Sequence, residues 1–410
     1  MEYNSPMRIL LLSRGDVFPP THGAAVKIIR TAEALAGLGQ TVFFVSDDRG
    51  IYHRFDDRGR RELSFADGVP GDRGVRPVLD GLLAAQGVPA EDRFLFSPMI
   101  DADFWRRAAW VARRHAVEVA QAEFPAYAAP ALAARAAMTG LRTVVVEHNV
   151  EHLRIADSAG IGPDVVARLQ AWEVALCRAV DRVVMVSEND RRLLVEAGVP
   201  AARIRVLPHG VDLHRYRSTD RRRARKRLGL GSGETVLLFH GVLNYPPNRE
   251  AAIRLGERIL PLLRARGVEA RVLIVGDDPP RDRGAGGVIW AGCVPPEQLA
   301  ETVACADIAV VPLVGGGGTR MKILEYFAAG LPVVSTRKGA EGLPLRGGEL
   351  ALADSDEQIV DTLAGLLAEP ERARALTGAG RAWVQRYDWS EIGRGYLRIY
   401  REILPGGPLG

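Results

Sequence analysis

The hydrophobic positions of the chain fall into short apolar runs separated by longer amphipathic stretches. The run "RILLLS" near the N-terminus is followed by the amphipathic stretch "AAVKIIRTAEALAGLG" and then by "TVFFVSDD". Runs that are apolar throughout, without alternation, are typical of parallel strands that helices cover on both faces. The pattern therefore predicts a doubly wound α/β unit at the beginning of the chain.

The same pattern occurs in two consecutive series. The first series continues with "VEVAQAE" at 117–123, "RTVVVEH" at 142–148, "RVVMVSE" at 182–188 and "RIRVLPHG" at 203–210. The second contains "ETVLLFHG" at 234–241, "ARVLIVGDD" at 270–278, "GVIWAG" at 287–292, "ADIAVVP" at 306–312 and "LPVVST" at 331–336. We therefore predict an α/β protein of two tandem Rossmann-like doubly wound domains. They are expected to face each other across a cleft that binds a ligand at the carboxyl ends of the strands.

Length and composition agree with this fold class and exclude some others. The 410 residues suit two domains of about 200 residues each, and 47% hydrophobic with 25% charged residues is ordinary for a soluble globular protein. The net charge is only +4, and the basic run "DRRRARKRLGL" at 220–230 has few aromatic residues on which bases could stack. We therefore expect no nucleic-acid partner and interpret this run as a solvated helix or linker.

Cysteine usage and the N-terminus bear on the compartment. The three cysteines, at 177, 293 and 305, lack the spacing of metal ligands and fit a reducing compartment. The first apolar run is too short for a signal peptide or a membrane-spanning helix, so we expect a cytoplasmic protein. The segment from 50 to 101 is rich in Gly, Pro, Asp and Arg and gives no clear pattern, which leaves a lid or an acceptor-facing excursion as interpretations.

The stretch "PLVGGGGTRMKILEYF" places four consecutive glycines, Gly315–Gly318, between a predicted strand and a predicted helix. Free backbone N–H groups and the positive end of a helix dipole together attract anions. Arg320 and Lys322 add two positive charges to a first helical turn, where acidic residues are usually preferred. Glu325, one turn later, could accept hydrogen bonds from a ribose diol. The stretch favours a nucleoside diphosphate site, although a flexible turn, surface charges or a Lys322–Glu325 pair remain alternatives.

Several segments occur in an order that resembles a known family. They are "THGAAVKIIRTAEALAGLGQTV", "VEHNVEHLR", "VVMVSENDRRLL", "VLPHGVD", "IWAGCVPPEQLAETVACADIAVVP" and "GGGGTRMKILEYFAAGLPVVSTRKGAEGL". Together they resemble family four of the retaining glycosyltransferases, of the glycosyl transferases group 1 type, which have the GT-B architecture. The resemblance covers most of the chain apart from roughly 50–100. It implies an acceptor-side domain at 1–215, a nucleotide-sugar-binding domain at 216–385, and a terminal helix at 386–404 that packs back on the first domain.

The resemblance also implies roles for individual residues. Glu325 matches the second glutamate of the family's paired-glutamate motif, which holds the ribose hydroxyls, whereas Gly317 occupies the position of the first. The basic pair that many relatives carry after the first strand of this domain is missing, and Asn244 and Asn248 stand there instead. The expected donor-binding set is Gly23, Asn244, Cys293, Val294, Gly316, Gly317, Gly318, Thr319 and Glu325. The expected catalytic set is His148, Arg320 and Lys322, and the candidate acceptor contacts are His22 and Glu123. For His148 a structural role, and for Glu123 a strand-end cap, remain open.

The implied activity is a metal-independent hexosyl transfer with retention, from an NDP-sugar to an unidentified hydroxyl acceptor, without a cofactor. UDP- and GDP-sugars are the expected donors. An NDP-sugar epimerase of the same fold, or an inactive nucleotide-sugar-binding partner, remains an alternative. A nicotinamide-dependent dehydrogenase is disfavoured because Gly-x-Gly-x-x-Gly does not follow the first strand.

Two further motifs have simpler explanations. "DAD" at 101–103 and "DSD" at 354–356 resemble a metal-binding Asp-x-Asp, but both precede predicted helices, where N-caps are expected. The helix "FWRRAAWVARRHA" combines tryptophans with arginines, which leaves a peripheral membrane contact open beside the interpretation as a solvated helix.

Overall fold

The computed structural model describes residues 6–15, 17–20, 23–70, 75–156, 161–277, 286–316 and 321–406. This part of the chain divides into two compact units. Unit 1 contains the described residues up to Pro208 together with those from Trp389 onward, and unit 2 is His209–Asp388. Each unit combines a mainly parallel sheet with helices, which confirms the predicted α/β class.

Unit 1 is built on a sheet whose eight described strands lie in the order β4-β3-β2-β1-β5-β6-β7-β8. The strands are β1 (Arg8–Ser13), β2 (Thr41–Ser46), β3 (Ile51–Asp56), β4 (Gly59–Ser64), β5 (Val119–Glu123), β6 (Arg142–Glu147), β7 (Arg182–Met185) and β8 (Ile204–Val206). Neighbouring strands are parallel, except that β3 is antiparallel to both β2 and β4. The central strands are buried on both faces, which explains why their sequences are apolar throughout.

Unit 2 has a second sheet, whose described strands lie in the order β11-β10-β9-β12-β13-β14. The strands are β9 (Val236–His240), β10 (Arg271–Val275), β11 (Val288–Trp290), β12 (Ile308–Val311), β13 (Val333–Ser335) and β14 (Ala351–Leu352). Every neighbouring pair is parallel. A hydrophobic core contains the strand residues and the inner faces of the helices that cover them.

The helices connect the strands in the way that a parallel sheet requires. Unit 1 contains α1 (Gly23–Gly37), α2 (Arg76–Ala85), α3 (Ala102–Arg114), α4 (Ala128–Ala136), α5 (Glu151–Ala156), α6 (Pro163–Ala179) and α7 (Glu188–Glu196). Unit 2 contains α8 (Leu213–Arg217), α9 (Arg221–Arg227), α10 (Pro246–Arg254), α11 (Leu260–Ala265), α12 (Pro296–Ala304), α13 (Met321–Ala329), α14 (Asp356–Ala368) and α15 (Pro370–Val384). The last helix, α16 (Trp389–Ile403), belongs to unit 1.

Helix α16 packs closely on α1. A Cβ added to Gly393 would lie 3.2 Å from the Cβ of Ala34, so the small residue permits this approach. Glu402 near the end of α16 forms an ion pair with Arg205 at 2.9 Å. Helix α16 is therefore an integral part of unit 1.

The boundary between the units differs from the predicted division after residue 215. Residues from His209 onward belong to unit 2, because Val211 forms a parallel bridge with Asp388 and α8 buries Leu213 and Tyr216 in the core of unit 2. Likewise, residues up to Asp388 remain in unit 2, and α16 begins at Trp389 instead of 386. Polar and basic residues interrupt the apolar pattern at 216–227, which suggests a link between two domains. In the structure these residues lie in α8, α9 and the turn between them, and both helices belong to unit 2.

The segment from 50 to 101 contains regular structure that the sequence pattern does not reveal. Strands β3 and β4 form an antiparallel hairpin that extends the sheet beyond β2. Strand β4 lies at the sheet edge and is mostly exposed, so its sequence "GRRELS" needs no apolar residues. An exposed edge strand leaves little hydrophobic signal in a sequence.

The basic run at 220–230 is a helix, but it is not fully solvated as predicted. Arg225 is only 5% exposed. Its guanidinium donates to the backbone oxygen of Cys305 at 2.9 Å and pairs with Asp307 at 2.7 Å. The guanidinium can be buried because its donors are satisfied by these and by neighbouring backbone oxygens.

The interpretation of the two Asp-x-Asp motifs as helix starts is confirmed. The Asp101 carboxylate accepts a hydrogen bond from the Phe104 N–H at 2.9 Å and caps α3. At the second motif, Ser355 caps α14 through a capping box with Gln358. Each motif therefore satisfies the free N–H groups of a first helical turn.

Candidate functional site

The topology of each sheet identifies one place where a ligand is expected. In unit 2 the chain proceeds from β9 through β10 to β11 on one side, whereas β12, β13 and β14 lie on the other. The carboxyl ends of β9 and β12 therefore flank a topological switch point, the usual ligand site of open α/β sheets. The corresponding point in unit 1 lies between the carboxyl ends of β1 and β5.

At the switch point of unit 2, Glu325 is paired with a histidine. Glu325 lies on α13, and its Oε2 is 2.7 Å from Nε2 of His240, the last residue of β9. The side chain of Glu325 is 22% exposed, so part of the carboxylate is open to a ligand. Burial alone raises the pKa of Glu325, but the hydrogen bonds from His240 and Tyr216 outweigh it and hold the pKa below its usual value. Glu325 is therefore an ionised hydrogen-bond acceptor.

His240 is held in one orientation by Tyr326. The Tyr326 hydroxyl oxygen accepts the backbone N–H of His240 at 3.0 Å and lies 2.9 Å from its Nδ1. Burial raises the pKa of Tyr326, so the phenol keeps its proton and donates it to Nδ1. The imidazole proton is then on Nε2 and is donated to Glu325. The arrangement fixes the orientation of the carboxylate.

Lys322 lies over the carboxyl end of β9. Its Nζ is 2.7 Å from Oδ1 of Asn248 and 4.1 Å from the centre of the Phe239 ring. A Cβ added to Gly241 would lie 3.0 Å from this Nζ, so glycine keeps the space beside the ammonium open. Lys322 donates a hydrogen bond to Asn248, and Glu325 is hydrogen-bonded to His240. The structure therefore does not contain the simple Lys322–Glu325 ion pair that was one alternative.

The glycine loop after β12 lies only partly within the described residues. Gly316 has a φ of 87°, a left-handed conformation that favours glycine, and an added Cβ would lie 2.6 Å from the Tyr245 hydroxyl. The remaining predicted loop residues, Gly317, Gly318, Thr319 and Arg320, lie outside the described residues. Their predicted roles, including that of Arg320 as a catalytic cation, stay predictions.

The other predicted donor contacts of unit 2 lie at strand ends. Asn244 is exposed in the loop after β9, and its amide donates to Asp277 at 2.8 Å. Cys293 is exposed after β11, and Val294 packs against the hydrophobic core of unit 2. The structure brings Asn248, Lys322 and Glu325 together around the end of β9. A ligand contact of Asn244, Cys293 or Val294 stays a prediction.

At the switch point of unit 1, Glu123 is the last residue of β5 and has no exposed surface. Its Oε2 is 2.6 Å from Nζ of Lys27 on α1 and 2.7 Å from Nε2 of His148. Burial raises the pKa of Glu123, but Lys27 and His148 outweigh it and lower the pKa to about 2. The predicted acceptor contact of Glu123 is not tested, yet the structure leaves no part of its carboxylate accessible.

His148 follows β6 and stacks on Phe124, with ring centres 4.2 Å apart. Phe124 has a φ of 75°, a conformation that costs a bulky residue on the order of 1–3 kcal/mol. This backbone conformation directly follows Glu123 and brings the ring against the imidazole. Gly23 begins α1 and is exposed, whereas His22 lies outside the described residues.

The second histidine of the "VEHNVEHLR" motif is structural. His152 is 3% exposed, and its Nδ1 is 2.5 Å from Oε2 of Glu173. Beside this pair, Glu147 is fully buried and accepts a hydrogen bond from the Cys177 thiol at 3.2 Å. Burial and the nearby carboxylates of Glu173 and Glu151 raise the pKa of Glu147 well above its usual value. These groups stabilise the region around α5 and α6.

Sequence reasoning missed three residues that shape the two sites: His240, Tyr216 and Lys27. A histidine at the end of the apolar run "VLLFH" is a weak signal, because strand ends frequently carry polar residues. Lys27 occupies a buried position of α1, and a lysine among apolar neighbours is a signal that could have found it. Tyr216 offers no local signal, because its interaction with Glu325 joins two helices far apart in sequence.

Within the described residues no three or more His, Cys, Asp or Glu side chains are grouped so that they could hold a metal ion. No helix in the described part of the chain is both long enough and apolar enough to cross a membrane.

Comparison with family models gives two matches that fall in different units. Residues 21–215 match the model described as Glycosyltransferase Family 4, and residues 234–369 match the model described as Glycosyl transferases group 1. The first match contains Glu123 and His148, and the second contains His240, Lys322 and Glu325.

Among curated proteins, this chain is similar to enzymes that act on inositol compounds. It is 31% identical over 249 residues to a D-inositol 3-phosphate glycosyltransferase of Acidothermus cellulolyticus, covering 57% of this chain and 55% of that protein. It is also 31% identical over 233 residues to a GDP-mannose-dependent alpha-(1-6)-phosphatidylinositol monomannoside mannosyltransferase of Mycobacterium tuberculosis, covering 52% of this chain and 59% of that protein. The matches thus span between half and two thirds of the relatives' length.

Solved structures extend the likeness to nearly the whole chain. The sucrose-phosphate synthase of Thermosynechococcus elongatus is similar with a TM-score of 0.68 at 19% identity, over 97% of this chain and 99% of that one. HepE of Anabaena, in complex with UDP and glucose, is similar with a TM-score of 0.64 at 17% identity, over 96% of this chain and 99% of that one. These identities support the fold alone. Because both family models match in order, one in each unit, the chain belongs to family four of the glycosyltransferases and has the two-domain GT-B fold.

Proposed function

We propose that this protein is a retaining, metal-independent hexosyltransferase that moves a sugar from a UDP- or GDP-sugar to a hydroxyl acceptor. The observation that carries the proposal is the group of Glu325, His240 and Lys322 at the switch point of unit 2. It combines a partly exposed carboxylate with an ammonium at the carboxyl end of β9. A nucleoside diphosphate needs both, an acceptor for its ribose hydroxyls and a cation for its phosphates.

In this proposal Glu325 binds the ribose. Its pairing with His240 leaves it ionised and oriented, and its exposed part accepts hydrogen bonds from the diol. The relatives' names support a nucleotide donor, since one is called GDP-mannose-dependent. The HepE structure contains UDP and glucose, which supports a site of this kind in the fold.

Lys322 stabilises the leaving group. During transfer, the acceptor oxygen forms a bond to the sugar C1 while the bond from C1 to the diphosphate oxygen breaks. Attack from the face that the diphosphate leaves retains the configuration, and the acceptor proton passes to a diphosphate oxygen. A fixed cation at the point where negative charge develops lowers the barrier without any reorganisation at the moment of reaction. Arg320 and the glycine N–H groups, predicted from sequence, would act on the same charge.

His148 is the proposed contact of the acceptor side, as the resemblance of its motif implies. Its ring is held by Glu123 and stacked on Phe124, so it presents a rigid edge at the end of β6. Relatives named for inositol phosphate and phosphatidylinositol compounds suggest which acceptors to examine first.

A ligand and turnover screen tests the proposal. Melting temperature is measured with UDP, GDP, ADP, dTDP and their sugars, because a ligand that binds only the folded state raises it. Donors that bind are then incubated with and without inositol phosphates, with EDTA present, and products are followed by NMR. We expect diphosphate release that depends on acceptor, with the anomeric configuration of the donor preserved. Inverted product, a need for added metal, epimerised donor without acceptor, or binding without turnover would each overturn it.

The role of Lys322 is tested by Lys322→Met, which keeps the length of the side chain and removes its charge. We expect turnover to fall by about 10²–10³, the usual loss for one stabilising group. Lys338→Met is the matched control, because Lys338 lies in the same unit but forms only an exposed ion pair with Glu341. Equal rates for Lys322→Met and the unaltered enzyme would refute the assignment.

A further inference from the structure

A continuous buried relay in unit 1 connects the last helix to His148. The Tyr400 hydroxyl on α16 donates to Oε1 of Gln121, and the Gln121 amide donates to Oε1 of Glu123 at 2.7 Å. Glu123 then contacts both Lys27, at 2.6 Å, and His148, at 2.7 Å. We call these five residues the relay. Apart from His148, which is 6% exposed, each has at most 2% of its surface exposed.

The relay contains two formal charges that are unusual inside a protein. A lysine and a glutamate are almost never fully buried unless they are paired. Lys27 is 2% exposed and Glu123 is 0% exposed, so each depends on the other. The ring of Tyr396 on α16 adds a face 5.4 Å from the Lys27 ammonium. A hydrophobic pair would be simpler and at least as stable, so the ion pair calls for another explanation.

The buried ion pair can be explained by the effect of Glu123 on the protonation of His148. An ionised carboxylate accepts hydrogen bonds and cannot donate one, so the proton between Glu123 and His148 is on Nε2 of the imidazole. With Glu123 alone, the ring would tend to take a second proton and become a cation. Burial of the ring lowers the pKa of His148, and the Lys27 ammonium beside the same carboxylate lowers it further, whereas Glu123 and Glu151 raise it.

We propose that Lys27 and Glu123 are positioning residues, which hold His148 in one orientation as a neutral imidazole with its proton on Nε2. The relevance to sugar transfer rests on the proposed function. In this state Nδ1 carries no proton, so His148 acts in transfer as a hydrogen-bond acceptor and not as a cation or as an acid.

The proposal is tested on the full-length protein without any substrate. Long-range ¹H–¹⁵N NMR spectra of ¹⁵N-histidine-labelled protein report the tautomer and pKa of each ring, and the signal missing in His148→Gln identifies His148. We expect the unaltered protein to show a neutral ring protonated on Nε2 near neutral pH. In Lys27→Met the carboxylate loses its cation, and the measured pKa of His148 should rise by about one to three.

Two further variants separate charge from packing. Tyr400→Phe removes a neutral member of the relay and should leave the tautomer and pKa of His148 unchanged. Lys27→Met/Glu123→Gln removes both charges while keeping the shape, so the His148 ring should be neutral in it even if Lys27→Met alone does not fold. A proton on Nδ1 in the unaltered protein would overturn the proposal. So would equal effects of Lys27→Met and Tyr400→Phe, or a double variant whose ring is cationic.

A kinetic measurement then connects the relay to transfer. With a donor and acceptor found by the screen, Lys27→Met should lower kcat more than it raises KM and should shift the acidic limb of the pH profile to higher pH. A purely structural role would lower the amount of active enzyme without moving the profile, and this result would contradict the proposal. Failure to find any transfer would refute the proposed function and leave the NMR result standing.

Discussion

Both units place a carboxylate 2.7 Å from an imidazole, but the two pairs differ in their surroundings. In unit 1 the pair is Glu123 with His148, and the carboxylate has no exposed surface and a lysine as its third partner. In unit 2 the pair is Glu325 with His240, and the carboxylate is 22% exposed and has the Tyr216 phenol as a further partner.

This difference in exposure gives the two carboxylate–imidazole pairs different possible roles. A carboxylate that keeps an exposed edge can bind a ligand directly, and hydrogen bonds from neighbouring side chains suffice to orient it. A carboxylate without an exposed edge can act only through the groups it holds, and its charge then requires a buried cation. The pair in unit 2 therefore suits binding, whereas the pair in unit 1 suits the positioning of its histidine.

The largest expected difference is in stability. Glu123→Ala leaves the Lys27 ammonium buried without its counter-charge, which should lower the free energy of unfolding by about 3–5 kcal/mol. Glu325→Ala removes a partly exposed group and should cost about 1 kcal/mol. Urea unfolding of both variants measures the contrast. Similar losses for the two variants would mean that the pairs do not differ as the structure indicates.

The next difference is in donor binding. Glu325→Gln keeps the shape but loses the charge-assisted hydrogen bonds to the ribose, so the diphosphate found by the screen should bind more weakly by about 1.5–3 kcal/mol. The matched variant in unit 1, Glu123→Gln, should leave this affinity unchanged wherever it folds. Calorimetric titration measures both. An unchanged affinity in Glu325→Gln would remove the ribose from the proposed role of this residue.

The smallest expected difference is in the pH dependence of stability, and it distinguishes Glu147 from Glu123 within unit 1. The pKa of Glu147 is raised by burial and by Glu173, so its contribution to stability is complete below the unfolded value of 4.5 and is lost as pH rises through the folded pKa. The pKa of Glu123 is about 2, so its contribution is present above 4.5 and is lost as pH falls toward 2. The two side chains therefore act in opposite pH ranges.

Glu147→Gln isolates this effect because the amide carries no ionisable proton. The variant should become more stable relative to the unaltered protein as pH rises from 5 to 8, by on the order of 1 kcal/mol for each unit by which the pKa is raised. Thermal unfolding at several pH values measures the trend. A constant difference between the two proteins across this range would show that Glu147 is ionised in the folded state.

Much of the fold could be predicted because its signals are local. Apolar runs separated by amphipathic stretches predicted the parallel strands of both sheets, and this fold class is confirmed. The family was predicted from the resemblance of several motifs, and it is confirmed as well. The hairpin of β3 and β4 was missed, since an exposed edge strand needs no apolar pattern. The compact units divide after Pro208 and not after residue 215, because the polar stretch around α8 and α9 belongs to unit 2.

The candidate site was predictable to the level of residue types at strand ends and helix starts. Glu325, Lys322 and His148 were identified from sequence, and the structure places each at or beside the end of a strand. Their partners were not identified. His240, Tyr216 and Lys27 come from elements distant in sequence, and no local pattern records which side chain will meet which.

The sequence by itself determined the class of fold, the order of the elements and which residue types stand where strands end, because these depend on hydrophobic periodicity and local backbone preference. Only the tertiary structure decided that Glu123 is enclosed while Glu325 keeps an open edge. It also decided that one carboxylate is paired with a buried lysine, whereas the other is held by a histidine and a phenol. Burial and charge compensation depend on distances between elements, and those distances exist only once the chain has folded.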